Sequence, residues 1–216
     1  MLVRERMTHN PITVTPDVSV THASRLMRER KVHHLPVLDG NGQLVGIVSD
    51  KDLLHASPSP VTSLSVWEIT EALYMLKVEK VLTSKVITVS EDMPLEEAAR
   101  LMADKGIGGL PVMRGNALVG IITKADLFKT FLQLLGGRRS GVRVTASVSG
   151  AKGTLAKIAN AISGAGGDIV GLGVSEVTDA AGMHWEITFK VQHVPQDKLV
   201  EAMGPVVQKI LDVREA

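Results

Sequence analysis

The sequence predicts an α+β protein of two parts: a tandem pair of β-α-β-β-α units, then a smaller β-α-β-β-α-β unit. Three observations carry this. First, shifting the chain by 75 residues lays Ile12-Thr13-Val14 on Ile87-Thr88-Val89, Arg25-Leu26-Met27 on Arg100-Leu101-Met102, and Leu35-Pro36-Val37 on Leu110-Pro111-Val112. After a one-residue gap near Gly42, Leu44-Val45-Gly46-Ile47 meets Leu118-Val119-Gly120-Ile121, giving 21 identities in 51 aligned pairs between residues 3–54 and 78–128. Second, hydrophobic periodicity alternates between strand and helix spacing in the same order in both copies. Third, glycines break the chain at 136–141, and the pattern changes beyond them.

Each copy opens with a short β-branched strand, Ile12 to Val14 in the first, and a turn at Pro16-Asp17. An amphipathic helix follows, with Val20, Ala23, Leu26 and Met27 on one face. The strand Leu35 to Leu38 then turns at Asp39-Gly40-Asn41-Gly42, a strong hairpin signal, into a return strand from Leu44 to Val48. A second helix opens near Ser49-Asp50, whose side chains suit a helix N-terminus. In the second copy Pro94 sits early in the helix, where its missing N–H costs little. Ser57-Pro58-Ser59-Pro60 breaks the chain after the first copy, and Ser65 to Leu76 reads as a helix leading into the second. These signals place the copies at 1–64 and 65–136, a hinge at 137–141, and a last domain at 142–216. That last domain reads as a strand at 142–148, a helix from Leu155 to Ile162, and strands at Asp168–Glu176 and His184–Val191. A turn at Asp179-Ala180-Ala181-Gly182 separates those two strands; a helix from Gln196 to Lys209 and a strand from Ile210 to Arg214 complete it. The order is ferredoxin-like.

Composition narrows the function classes. Lys and Arg total 24 against 23 Asp and Glu, which gives no general attraction for nucleic acid or anionic lipid. There is no helix-turn-helix segment or basic face to suggest a DNA-binding regulator. There are no cysteines, so disulfides, thiolate metal sites and cysteine nucleophiles are excluded. His9, His22, His33, His34 and His55 lack the spacing of a metal site, and no metal is expected. No apolar stretch approaches the roughly 18 residues of a membrane span, and the first residues do not read as a signal peptide, so a cytoplasmic protein is expected. No nucleophile–base pair, P-loop or nucleophile elbow is present, so a non-catalytic protein is expected rather than an enzyme.

The sharpest repeated signature is Gly46-Ile47-Val48-Ser49-Asp50-Lys51-Asp52, matched by Gly120-Ile121-Ile122-Thr123-Lys124-Ala125-Asp126. A strand feeds a helix N-terminus through a hydroxyl residue, with a carboxylate three positions on. Backbone N–H groups there favour a phosphate, and an ionised carboxylate accepts from both hydroxyls of a ribose. The plain alternative is that Ser49 and Thr123 are helix caps and the aspartates solvated first-turn residues.

The repeated strand–helix–Leu-Pro-Val–strand–Gly-Ile-Val/Ile-Ser/Thr-x-x-Asp pattern resembles a pair of CBS domains, together a Bateman module, over roughly residues 1–136. That resemblance implies a regulatory module binding adenosine compounds (AMP, ADP, ATP or S-adenosylmethionine) in clefts between the repeats, and commonly dimerising. It makes Asp52 and Asp126 ribose-binding carboxylates, with Ser49 and Thr123 as hydroxyl partners. Thr8, Thr13, Thr83 and Thr88, around each first strand, would line adenine and sugar. The copies differ before Leu-Pro-Val: Val32-His33-His34 against Ile107-Gly108-Gly109. The resemblance turns this segment toward the ligand. His33 and His34, beside Lys31 and Lys51, would hold a phosphate chain, whereas Gly108 and Gly109 would offer only backbone N–H groups and space.

The last domain resembles an ACT domain, a small regulatory module that often binds amino acids across a dimer interface. The resemblance rests on element order, on Gly153 between first strand and helix, and on Asp168-Ile169 opening the second strand. Gly150-Ala151-Lys152-Gly153 keeps only the final glycine of the usual loop, and Asp168 stands where asparagine is common. A dimerising role is therefore favoured over an amino-acid effector site. The whole arrangement resembles the acetoin-utilization protein B group. What is expected is a homodimeric sensor with an adenine nucleotide as regulatory ligand and an unknown target protein. The alternative is a scaffold without nucleotide.

Overall fold

Hairpins organise both copies. The computed structural model describes residues 1–56, 75–179 and 182–216. In the first copy α1 (Val20–Arg30) is capped by Ser19 and ends at Lys31 in the left-handed conformation. β2 (His34–Leu38) and β3 (Leu44–Ser49) then pair antiparallel, and α2 (Asp50–His55) follows directly. The second copy repeats this with α3 (Leu95–Lys105), β5 (Gly109–Arg114), β6 (Ala117–Thr123) and α4 (Lys124–Leu134). The opening strands are shorter than expected. In the first copy Val14 bridges Val37, in parallel; in the second, β4 is Val89–Ser90, paired with Val112 and Met113. The expected helix over 65–76 falls almost wholly outside the described residues, as do Ser57–Pro60 and the turn residues Ala180 and Ala181.

The copies exchange their leading segments, which periodicity did not announce. β1 (Thr8–His9) pairs with β6 of the second copy, so the sheet runs β1-β6-β5-β4. Val3 N–H donates to Met93 O, Arg4 N–H to Glu91 O, and Arg4 pairs with Asp92. Val3 and Met7 are thereby buried in the core of the second copy, with Leu95, Met102, Leu110 and Ile122. The exchange is reciprocal. Thr83 bridges Ile47, Val78 N–H donates to Val18 O, and Val78 is buried in the core of the first copy with Val20, Leu35 and Val48. Units of about 50 residues bury too little apolar area alone, and the trade lets each complete the other's core.

The chain divides into compact units at Leu127/Phe128, so the expected hinge at 137–141 lies inside the second unit. That unit has β7 (Val142–Val148), α5 (Thr154–Gly164), β8 (Asp168–Asp179), β9 (Gly182–Gln192), α6 (Gln196–Met203) and β10 (Lys209–Glu215). Its sheet is antiparallel throughout, in the order β10-β7-β9-β8. Phe189, Ile158, Ile162, Leu199 and Met203 are fully buried in one core. The last helix stops at Met203, short of Lys209, and a 3-10 turn follows at Gly204–Val206. Pro205 has no N–H to continue the helical ladder.

Candidate functional site

The strand-to-helix junctions form the same device twice. Ser49 caps α2: its Oγ accepts from the Asp52 N–H at 3.3 Å, and Asp52 Oδ2 accepts from the Ser49 N–H and Oγ–H, each at 2.7 Å. In the second copy Asp126 Oδ2 accepts from the Thr123 N–H at 3.0 Å and from its Oγ1–H at 2.7 Å. All four residues are half-buried. The Ser49–Asp52 pair is a capping box, and in both copies the carboxylate sits at the positive end of its helix. A carboxylate offers about four lone-pair sites over two oxygens. Oδ2 of Asp52 is taken up by the cap, which leaves Oδ1 to any further donor.

The exchange of leading segments redistributes the threonines. Thr8 lies opposite Ile121 of the second copy, and Thr83 opposite Ile47 of the first, so each sits beside the other copy's return strand. Thr13 is half-buried and Thr88 exposed, each next to the opening strand of its own copy.

The paired histidines make different contacts. His34 opens β2 opposite Ser49, and its ring lies against the second copy: a Cβ on Gly108 or Gly109 would sit 3.1 or 3.2 Å from the imidazole. Burial pushes the His34 pKa below the ordinary histidine value. The charge of Asp50 pulls it up, His33 pushes it down, Asp52 pulls it up and Lys124 pushes it down. His33 makes a different contact. Its Nδ1 is 2.9 Å from Asp50 Oδ2, in the open. With Lys31 and Lys51 it lines a cleft of about 1200 Å³ against α1 and α2, whose lining includes neither Ser49, Asp52 nor His34. His33 sits in a bend just ahead of β2, whereas His34 opens the strand.

Gly108 and Gly109 are accordingly no open cradle, because the imidazole occupies the space beside them. Gly109→Ala is expected to cost about 1–3 kcal/mol of stability through overpacking. Combining it with His34→Ala should recover most of that loss in denaturation midpoints; additive losses would refute the contact.

In the second unit Gly153 caps α5 at φ +83, a conformation glycine takes without strain. Asp168 begins β8 in the open, while Ile169 packs on the core. Among the described residues no three His, Asp or Glu side chains converge as a metal site, and no helix is long and apolar enough to cross a membrane.

The CBS domain pattern matches residues 3–59 and 78–133, covering both copies. The chain belongs to the CBS-domain family. Among CBS relatives, a CBS domain-containing protein of Dictyostelium discoideum is 32% identical over 136 residues, 62% of this chain and 94% of that one. L-aspartate semialdehyde sulfurtransferase of Methanocaldococcus jannaschii is 30% identical over 141 residues, 64% of this chain but only 24% of the enzyme. The chain is also similar to a solved putative acetoin utilization protein from Vibrio cholerae (31% identity, TM-score 0.53, 64% of this chain and 95% of that one). A CBS domain pair solved with 5′-methylthioadenosine and S-adenosyl-L-methionine is 29% identical, with TM-score 0.52 over 64% of this chain and 98% of that one. CBSX2 solved with AMP is 34% identical, with TM-score 0.51 over 61% of this chain and 96% of that one.

Proposed function

We propose that this CBS pair is a non-catalytic sensor that binds an adenosine ligand (AMP, ADP, ATP or S-adenosylmethionine) between its repeats. The observation that carries the reading is the twice-built hydroxyl–carboxylate junction, Ser49–Asp52 and Thr123–Asp126, half-buried at a helix start. The likeness to CBS pairs solved with AMP and with S-adenosylmethionine supports the ligand class. Lys51, Thr8, Thr13, Thr83 and Thr88 complete the assigned set, with His34 between the copies. The module works as a homodimer. The second unit is read as ferredoxin-like and ACT-like, its sheet order and Gly153 cap being consistent with this, and it serves pairing of two copies or a second effector site. Ligand binding shifts the packing of the repeats by its differential affinity for two arrangements.

Calorimetry with AMP, ADP, ATP and S-adenosylmethionine tests this. A carboxylate–ribose bond contributes about 1.5–3 kcal/mol, so Asp52→Ala or Asp126→Ala should weaken binding roughly 10- to 150-fold. Unchanged affinity in both aspartate variants rejects the ribose assignment. One observation favours a second reading, a scaffold without nucleotide: both carboxylates already serve their own helix starts. Absence of binding to all four compounds would select it.

A further inference from the structure

One side chain stands between the two hydroxyl–carboxylate junctions. Gly109 lies opposite Thr123 across the second hairpin, and the Lys124 N–H donates to Gly108 O at 3.0 Å, so the glycine pair abuts the Thr123–Asp126 junction. The first copy is built alike: His34 lies opposite Ser49, and the Asp50 N–H donates to His33 O at 3.1 Å. His33 and His34 thus hold the places that Gly108 and Gly109 hold in the second copy. The His34 imidazole spans both glycines. Its Cε1 and Nε2 lie 3.1 Å from where a Gly108 Cβ would stand, and its Cγ lies 3.2 Å from the same point on Gly109. These distances are closer than ordinary van der Waals contact, so the ring fits because neither neighbour carries a side chain. The second copy lends no ring in return, since its matching residues have none.

The ring is placed by packing: no side-chain hydrogen bond among the described residues is part of its surroundings, which are charged by Asp50, Asp52, His33 and Lys124. Burial holds its pKa below the ordinary histidine value, so at neutral pH it is uncharged and has little attraction for a phosphate. It acts there as an obstacle.

We propose that His34 gates the second junction: an adenosine ligand reaches Thr123–Asp126 only when the imidazole swings off Gly108 and Gly109, so the two sites are unequal and the Ser49–Asp52 site fills first. This rests on the sensor reading and adds the order of filling and the side chain that sets it. A ligand that binds only the ring-out arrangement has its affinity reduced by the fraction of chains in that arrangement. With the ring clear in about one chain in ten or fewer, the second site is weaker by roughly tenfold or more.

Calorimetry with AMP as the probe tests the gate. The unsubstituted chain should show two dissociation constants separated by about tenfold or more. Asp52→Ala weakens the first site and leaves the second to be measured; adding His34→Ala to that chain should tighten AMP binding by the same factor. Adding His34→Ala to Asp126→Ala, which leaves the first site, should bring no gain. Misfolding does not raise an affinity, so a damaged chain cannot mimic the expected result. Equal constants in the unsubstituted chain, no gain in the Asp52→Ala background, or a gain in the Asp126→Ala background would each overturn the gate and leave the sensor reading standing. No AMP binding by the unsubstituted chain or any variant would overturn both.

Discussion

Gly171→Val is expected to destabilise the second unit by about 3 kcal/mol or more, near the upper end of what overpacking costs. The chain after α4 crosses β8 so closely that a Cβ on Gly171 would lie 2.3 Å from the Leu135 carbonyl carbon and 2.6 Å from the Gly136 nitrogen. These are main-chain atoms, which have no rotamer to retreat into. Gly171 also sits where the β8–β9 register shifts, so the strand is already irregular at the crossing. Urea unfolding followed by Trp185, which packs on the second core, would measure the loss in a Trp67→Phe background. An unchanged midpoint would mean that the crossing is not tight.

The double variant Val3→Ala/Met7→Ala is expected to cost about 3–6 kcal/mol, from two buried side chains whose cavities the surroundings only partly refill. The location of the damage is the sharper test. These residues begin the chain, yet both lie in the core of the second copy. Hydrogen exchange should therefore accelerate first in β5 and β6, and Val78→Ala should act the other way, loosening β2 and β3. If the double variant loosened its own copy first, the exchange of segments would be wrong.

Much of the fold was legible because its signals are local. The hairpin between Leu35 and Val48 follows from β-branched runs around Asp39-Gly40-Asn41-Gly42, and the Asp39 carboxylate accepts from the Asn41 and Gln43 N–H groups in the turn. The junctions at Ser49 and Thr123 were equally plain, since a hydroxyl before a helix with a carboxylate three residues on can satisfy free N–H groups at the helix start. Crossed segments were not legible: Val3 and Met7 are buried by strands and a helix about 80 to 120 residues further along the chain, and periodicity reports a face without naming what covers it. The different contacts of His33 and His34 were not legible from strand alternation, because His33 sits in a bend ahead of β2. That His34 fills the space at Gly108 and Gly109 required knowing that the copies meet there. The end of α6 is written in Gly204-Pro205, and extending the helix to Lys209 gives apolar spacing more weight than the missing N–H.

The reciprocal trade of leading segments also bears on how such a protein can be taken apart. A gene fragment encoding one copy would encode a domain lacking part of its own interior and carrying part of its neighbour's. Expressed singly, each fragment should be insoluble or seek a mate; expressed together, they should reassemble without a peptide link. Each half is tied to the other by the residues that it lends to its neighbour's core.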